Sequence, residues 1–280
     1  MIGVFDSGSG GVTILDALIK RLPDQDFLYL GDHANAPYGH RSNQQIVDLT
    51  QNGVEALMNA GCSLVILACN TAAAIALRTL QQEWLPTAHP EKRILGVLVP
   101  MVEALTGVPW SQEHPSSQDL PPQNITLFAT RKTVESRAYI DEVLKRAPHV
   151  SLLGKACPGL VDAIEGGAGP TPLSGLIAGY VAEATERAPD AVVLGCTHFP
   201  LVKDHFEAAL PVKTAIFSQP EIVADSLCDY LTRNTQFKTC GNGHVILTTT
   251  GDPSEVNKLK PLLTFNHGDF REFKAYSALS

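Results

Sequence analysis

Two cysteines stand in matching surroundings 127 positions apart, Cys69 within LVILACNTAAA and Cys196 within AVVLGCTHFPL. Each follows a short run of Val, Ile and Leu and then a small residue. Polar side chains come next, Asn70 and Thr71 after the first cysteine and Thr197 and His198 after the second. Such apolar runs read as buried parallel strands, so both thiols are expected at strand carboxyl ends, where open α/β sheets receive their ligands. Two thiols presented alike predict one site with sulfur on either side of a substrate. The chemistry that uses such a site is removal of a proton from one face of a carbon and its return to the other.

Taken singly, each motif also has a structural reading. Cys69 opens a helix whose positive end favours a thiolate or a bound carboxylate; equally, it is a small buried hydrophobe beside a helix cap, Thr71. His198 is either the proton partner of Cys196 or a capping residue at a helix start. Asp6, in DSGSGG, is either a carboxylate poised beside a base or an N-cap, and its glycine-rich turn matches neither GxGxxG nor a P-loop. Pro37, Tyr38 and Gly39 make a loop that closes over a small ligand or merely turns. Thr130, Thr133, Ser136 and Tyr139 put hydroxyls at the start of another helix. Glu165, before Gly166 and Gly167, ends a helix where the dipole disfavours a carboxylate, which hints at use. Cys157, before Pro158, reads as structural. Cys-x-His with no second ligand pair predicts no metal.

These residues need a scaffold, and the chain is long enough to supply one. Its 280 residues are comfortable for two domains, and 44% hydrophobic content gives ample core. A net charge of −8 without basic runs excludes a general nucleic-acid or anionic-membrane binder. No apolar stretch reaches the ~18 residues of a membrane span, and MIGVFDSG lacks the features of a secretory signal. Six cysteines (Cys62, Cys69, Cys157, Cys196, Cys228 and Cys240) without CxxC spacing predict reduced thiols and a cytoplasmic location.

Strands are expected at 2–5, 27–30, 64–68, 94–97, 125–128, 150–153, 191–194, 213–217 and 244–248. Helical spacing falls at 11–22, 43–60, 72–83, 133–147, 175–188 and 221–231. The alternation predicts an α/β fold with parallel sheets. VFDSGSGG is echoed by LFATRKT and LACNTAAA by LGCTHFPL, which suggests two similar halves facing each other across a cleft. The segment 109–124, PWSQEHPSSQDLPPQN, reads as a long surface loop.

IGVFDSGSGGVTIL, YLGDHANAPYG, ILACNTAAA and VLGCTHFPL, in this order, resemble the glutamate racemases of the cofactor-independent amino-acid racemase superfamily. The resemblance spans essentially the whole chain. It implies two similar α/β domains, residues 1–98 plus 207–280 and residues 99–206, each with a mostly parallel sheet flanked by helices and with the active site in the cleft between them. It also implies interconversion of L- and D-glutamate for peptidoglycan precursors by a two-thiol proton transfer, with no cofactor and often as a homodimer. By the same resemblance Cys69 serves D-glutamate with help from Asp6, and Cys196 serves L-glutamate with help from His198 and Glu165. Ser7, Pro37, Tyr38, Gly39, Asn70, Thr71, Thr130, Thr133 and Thr197 join Asp6, His198 and the two thiols around the substrate. The chain departs from the pattern at His33, Asn35, Ala129 and Phe199 and in the length of the 109–124 loop. It also lacks the N-terminal extension of relatives activated by a wall-precursor nucleotide, so independence of such an activator is expected. Three rivals remain: a racemase for aspartate or a hydantoin, a hydrolase or transferase using the Cys196–His198 pair alone, and an amino-acid binding module.

Overall fold

The computed structural model describes residues 1–110, 123–184, 188–238, 241–263 and 266–274. Most of the expected long loop, and Cys240, lie outside the described residues. Among the described residues ten strands run in chain order: β1 (Ile2–Asp6), β2 (Phe27–Gly31), β3 (Leu64–Leu67), β4 (Arg93–Gly96), β5 (Gln123–Ala129), β6 (Val150–Ala156), β7 (Ala191–Gly195), β8 (Ala215–Phe217), β9 (Val245–Thr249) and β10 (Arg271–Glu272). All nine expected strands form, and β10 is an addition that its two-residue length hid from any pattern search.

The strands make two parallel sheets, one in the order β10-β9-β2-β1-β3-β4 and the other β6-β5-β7-β8. Removing β9 and β10 leaves β2-β1-β3-β4, the same order as the second sheet. The sequence echo is therefore a repeat of topology. In both sheets the chain reverses its direction of winding beside the first strand, between β1 and β3 and between β5 and β7. Those crevices are where such sheets bind ligands.

Burial follows from the residue pattern. β1, β2, β3 and β7 are buried throughout, as strands covered on both faces must be. Along β5 the period of two sorts side chains between layers. Ile125, Leu127 and Ala129 pack with helices Leu98–Thr106 and Ala138–Arg146, while Phe128 packs with helices Leu160–Glu165 and Pro170–Ala184. The helix expected over 133–147 breaks into Arg131–Glu135 and Ala138–Arg146, because Arg137 adopts a left-handed conformation with φ 59°. β8 belongs to the second sheet, although its residues fall in the 207–280 segment expected with the first. Phe206, Leu210 and Ile216 likewise pack into the second core. We propose that the second domain continues through Phe217 and that the chain re-enters the first at Ser218.

The loop after β2 is fastened by one buried acid. The Asp32 carboxylate accepts hydrogen bonds from Tyr38 Oη (2.7 Å), Asn35 Nδ2 (3.0 Å) and Thr250 Oγ1 (2.7 Å). It thus ties the loop to β9's far end. Asp32→Ala strands the buried Tyr38 hydroxyl, while half-buried Asn35 and exposed Thr250 turn to water, and a loss of about 2 kcal/mol is expected in urea unfolding. An unchanged midpoint would show that the loop is held by other means.

Candidate active site

Asp6 is the last residue of β1, and Cys69 lies two residues beyond β3, its neighbour in the sheet. Asp6 does not cap a helix; the next helix begins at Val12, and Gly11 is its N-cap. Instead Asp6 Oδ1 accepts the Gly8 N–H at 2.8 Å, which folds the DSGSGG turn back over the strand end. Ser7 Oγ lies 3.3 Å from Cys69 Sγ, and the sulfur also accepts the Ala72 N–H at 3.4 Å. Cys69 itself, and not Thr71, caps helix Asn70–Ile75.

The helix start does not produce a thiolate here. Burial, with the neighbouring Asp6 charge, pushes the Cys69 thiol up to about 12, against the smaller opposing effect of its hydrogen bonds. Burial also raises Asp6, more than the nearby His198 charge lowers it. A short helix terminus is worth too little to offset desolvation of an anion.

On the other sheet, Cys196 immediately follows β7. His198 Nδ1 lies 4.0 Å from Cys196 Sγ, and its Nε2 is 2.9 Å from Glu165 Oε1 at the end of helix Leu160–Glu165. His198 stands at the N-cap position of the short helix Phe199–Val202, but its side chain makes no cap bond there and is turned instead to Cys196 and Glu165. Burial alone would drive the imidazole neutral, but its hydrogen bonds to Cys196 and Glu165 and their charges win, and its pKa is raised to about 10. For Glu165 too, burial opposes the charged form, yet the His198 bond and charge hold the carboxyl below its usual range. Replacing Glu165 by Gln should therefore lower the His198 pKa, as read by NMR titration of the ring. In the wild type the His198 contribution to stability is complete below about 6.5 and is lost as pH rises through about 10. Glu165→Gln should flatten that decline in melting temperature; an unchanged slope would mean Glu165 does not hold the proton.

The two thiol loops meet. Thr197 Oγ1 donates to Asp6 Oδ2 at 3.4 Å, and Thr13 Oγ1 lies 2.9 Å from both Thr197 O and Gly10 O. A Cβ on Gly10 would sit 2.4 Å from both His198 Nδ1 and Thr197 Oγ1. The glycine turn therefore admits the close approach of the Cys196 loop from the facing domain. Thr13 and this role of Gly10 had no signature in the sequence beyond the glycine pair.

Three further hydroxyls converge from the two domains: Thr71 Oγ1 lies 2.9 Å from Thr130 Oγ1 and 3.3 Å from Thr133 Oγ1, and the latter two are 3.0 Å apart. Thr130 extends from β5 and caps helix Arg131–Glu135. Pro37 and Gly39 flank Tyr38, which is buried with its hydroxyl on Asp32 rather than free to swing. Asn70's amide is engaged with Gln219 and Tyr139. Ser136 donates to Thr133 O. His33 is half-buried between Ser9 (2.8 Å) and Thr249 (2.8 Å), which braces the glycine turn against β9. A separate cavity of about 1570 Å³, lined in part by Arg78, Trp110, Lys145 and Arg233, includes neither thiol.

What this arrangement can do is exchange protons from two sides of a small molecule, each thiol having its own polar partners. Comparisons with known proteins point to a racemase family. Residues 2–224 match the family model described as Asp/Glu/Hydantoin racemase. A protein named glutamate racemase from Roseobacter denitrificans is 48% identical over 259 residues, covering 91% of this chain and 93% of the relative. Among solved structures, a glutamate racemase isoform from Bacillus anthracis superposes with a TM-score of 0.85 at 26% identity, covering 97% of this chain and 96% of that one. The glutamate racemase of Francisella tularensis, solved in complex with D-glutamate, gives 0.83 at 25% identity over 99% and 98%. No helix among the described residues is long and apolar enough to cross a membrane.

Proposed function

This chain belongs to the Asp/Glu/Hydantoin racemase family, and from that premise we propose that it interconverts L- and D-glutamate by passing the α-proton between two thiols, without a cofactor. One observation carries the reading: two thiols stand at equivalent switch points of two like sheets, and the Thr197–Asp6 hydrogen bond joins their loops. A hydrolase using Cys196 and His198 alone gives no role to the second thiol with its own serine and carboxylate.

The α-proton of an amino acid is weakly acidic, so its removal needs a dry site with polar groups already aimed at the substrate. Thr71, Thr130 and Thr133, with Ser7 and Thr197, offer hydroxyls to the carboxylates. Asn70 contributes through its backbone N–H, its amide being engaged elsewhere. Pro37, Tyr38 and Gly39 cover the site. With L-glutamate, Cys196 takes the α-proton, and Cys69, a thiol at neutral pH, delivers one to the opposite face. His198 and Glu165 connect Cys196 to water, since Glu165 remains 32% exposed. With D-glutamate the roles reverse. Cys69 must then lose its proton, which a substrate ammonium favours by offsetting the negative charge of Asp6.

We assign this activity to the cytoplasm, where thiols stay reduced, with the D-glutamate entering peptidoglycan precursors and the enzyme acting as a homodimer. The test is incubation of the purified protein with L-glutamate in deuterium oxide. Decay of optical rotation together with α-deuteration supports the proposal. Exchange with aspartate and none with glutamate would keep the mechanism and change the substrate, and no exchange with any amino acid would refute racemisation.

A further inference from the structure

Behind the thiols, three chain segments meet in a closed polar cluster. Asn70, next to Cys69, donates from Nδ2 to Gln219 Oε1 at 2.6 Å, and Asn70 Oδ1 accepts from Gln219 Nε2 at 2.9 Å. Tyr139 Oη donates to the same Asn70 oxygen at 2.8 Å and accepts from Gln219 Nε2 at 3.0 Å. All three side chains are buried, Gln219 completely. Such a cluster is costly to bury unless every bond is made, and here the partners satisfy one another.

Their positions in the chain matter. Asn70 begins the helix that Cys69 Sγ caps, so its placement and that of the sulfur are one. Tyr139 stands on helix Ala138–Arg146, packed in the core of the second sheet. Gln219 opens helix Gln219–Arg233, whose Val223, Ala224, Leu227 and Leu231 join the core of the first sheet, immediately after β8 leaves the second. The cluster thus ties a thiol loop, the facing domain and the return crossing between domains at one point.

We propose that Gln219 is a positioning residue for Cys69: its amide, clamped between Asn70 and Tyr139, fixes the height of the Cys69 sulfur over the cleft. Gln219 touches neither thiol and acts through Asn70. The inference rests on the two-thiol reading above, in which Cys69 and Cys196 address opposite faces of the substrate. Displacing Cys69 then has a one-sided signature. With L-glutamate, Cys196 still removes the α-proton, and its His198–Glu165 connection to water exchanges it. A misplaced Cys69 is slow to reprotonate the other face, so the carbanion returns to L-glutamate carrying deuterium. With D-glutamate, Cys69 performs the removal itself, and exchange and inversion fall together.

Gln219→Met keeps the length of the side chain and removes both amide functions. The measurement is kcat, KM and the ratio of α-deuteration with retention to inversion, from each enantiomer in deuterium oxide, with circular dichroism as the check on folding. A displacement near 1 Å predicts a fall in kcat of about 10- to 100-fold, with the retention-to-inversion ratio raised from L-glutamate alone. A ratio unchanged, or raised equally from both enantiomers, overturns the proposal. Should Gln219→Met fail to fold, Tyr139→Phe, which removes one hydroxyl from the cluster, decides by the same ratio: one-sided supports, unchanged or symmetric refutes. If the wild-type protein does not exchange the α-proton of any amino acid, the two-thiol reading itself falls; normal wild-type racemisation with an unaltered variant removes only the role of Gln219.

Discussion

Cys69→Ser and Cys196→Ser are each expected to lower racemisation by about 10³- to 10⁴-fold, and to fail on opposite faces. A serine hydroxyl is too weak an acid to exist as a base at neutral pH, yet it is close to isosteric, so binding survives. Cys69→Ser should leave Cys196 able to exchange the α-proton of L-glutamate for solvent deuterium with retention. Exchange from D-glutamate should vanish. Cys196→Ser should show the mirror pattern. The measurement is α-proton NMR in deuterium oxide beside polarimetry. If one variant racemises normally, that thiol is a buried hydrophobe after all, and a one-cysteine chemistry must be sought at the other.

Gly10→Ala should reduce kcat/KM by about 10²-fold or more without unfolding the protein. The added methyl would lie 2.4 Å from His198 Nδ1 and Thr197 Oγ1 and 2.6 Å from His198 Cε1, separations that real side chains do not tolerate. The loop carrying Cys196 must therefore withdraw from the first domain, breaking its contacts with Asp6 and Thr13. Gly8→Ala is the internal control, because its methyl would meet only Glu165 Oε1, at an ordinary 3.7 Å. Comparable activity in the two variants would mean that the two loops do not meet this way during turnover.

Much of this molecule was legible before folding because its strands are short, continuous and apolar. Parallel strands buried on both faces need no partner pattern to be recognised, and the residue after each such run is delivered to the ligand-binding edge by the geometry of βαβ winding. Asp6, Cys69, Thr130 and Cys196 were readable for that reason. So was the likeness of the halves, which the matched orders β2-β1-β3-β4 and β6-β5-β7-β8 express.

Other features depend on approach between segments far apart in the chain, which local pattern does not encode. A lone glutamine at position 219 carries no signal, yet it bonds to residues 149 and 80 positions away. The sequence left the Pro37–Gly39 loop as either a cover or a plain turn, and only the fold shows Asp32 holding the Tyr38 hydroxyl. The sequence left Cys69 open between a helix-favoured thiolate and a small buried hydrophobe, and burial beside Asp6 pushes its thiol up. Continuous apolar runs and the glycine turn were enough to announce the strands and the placing of the two cysteines at strand ends, because those depend on chain-local sterics and hydrophobicity. Which polar groups are paired, which protons are held and how the two thiol loops meet were decided only by the tertiary structure, since desolvation and hydrogen bonding are properties of the assembled neighbourhood.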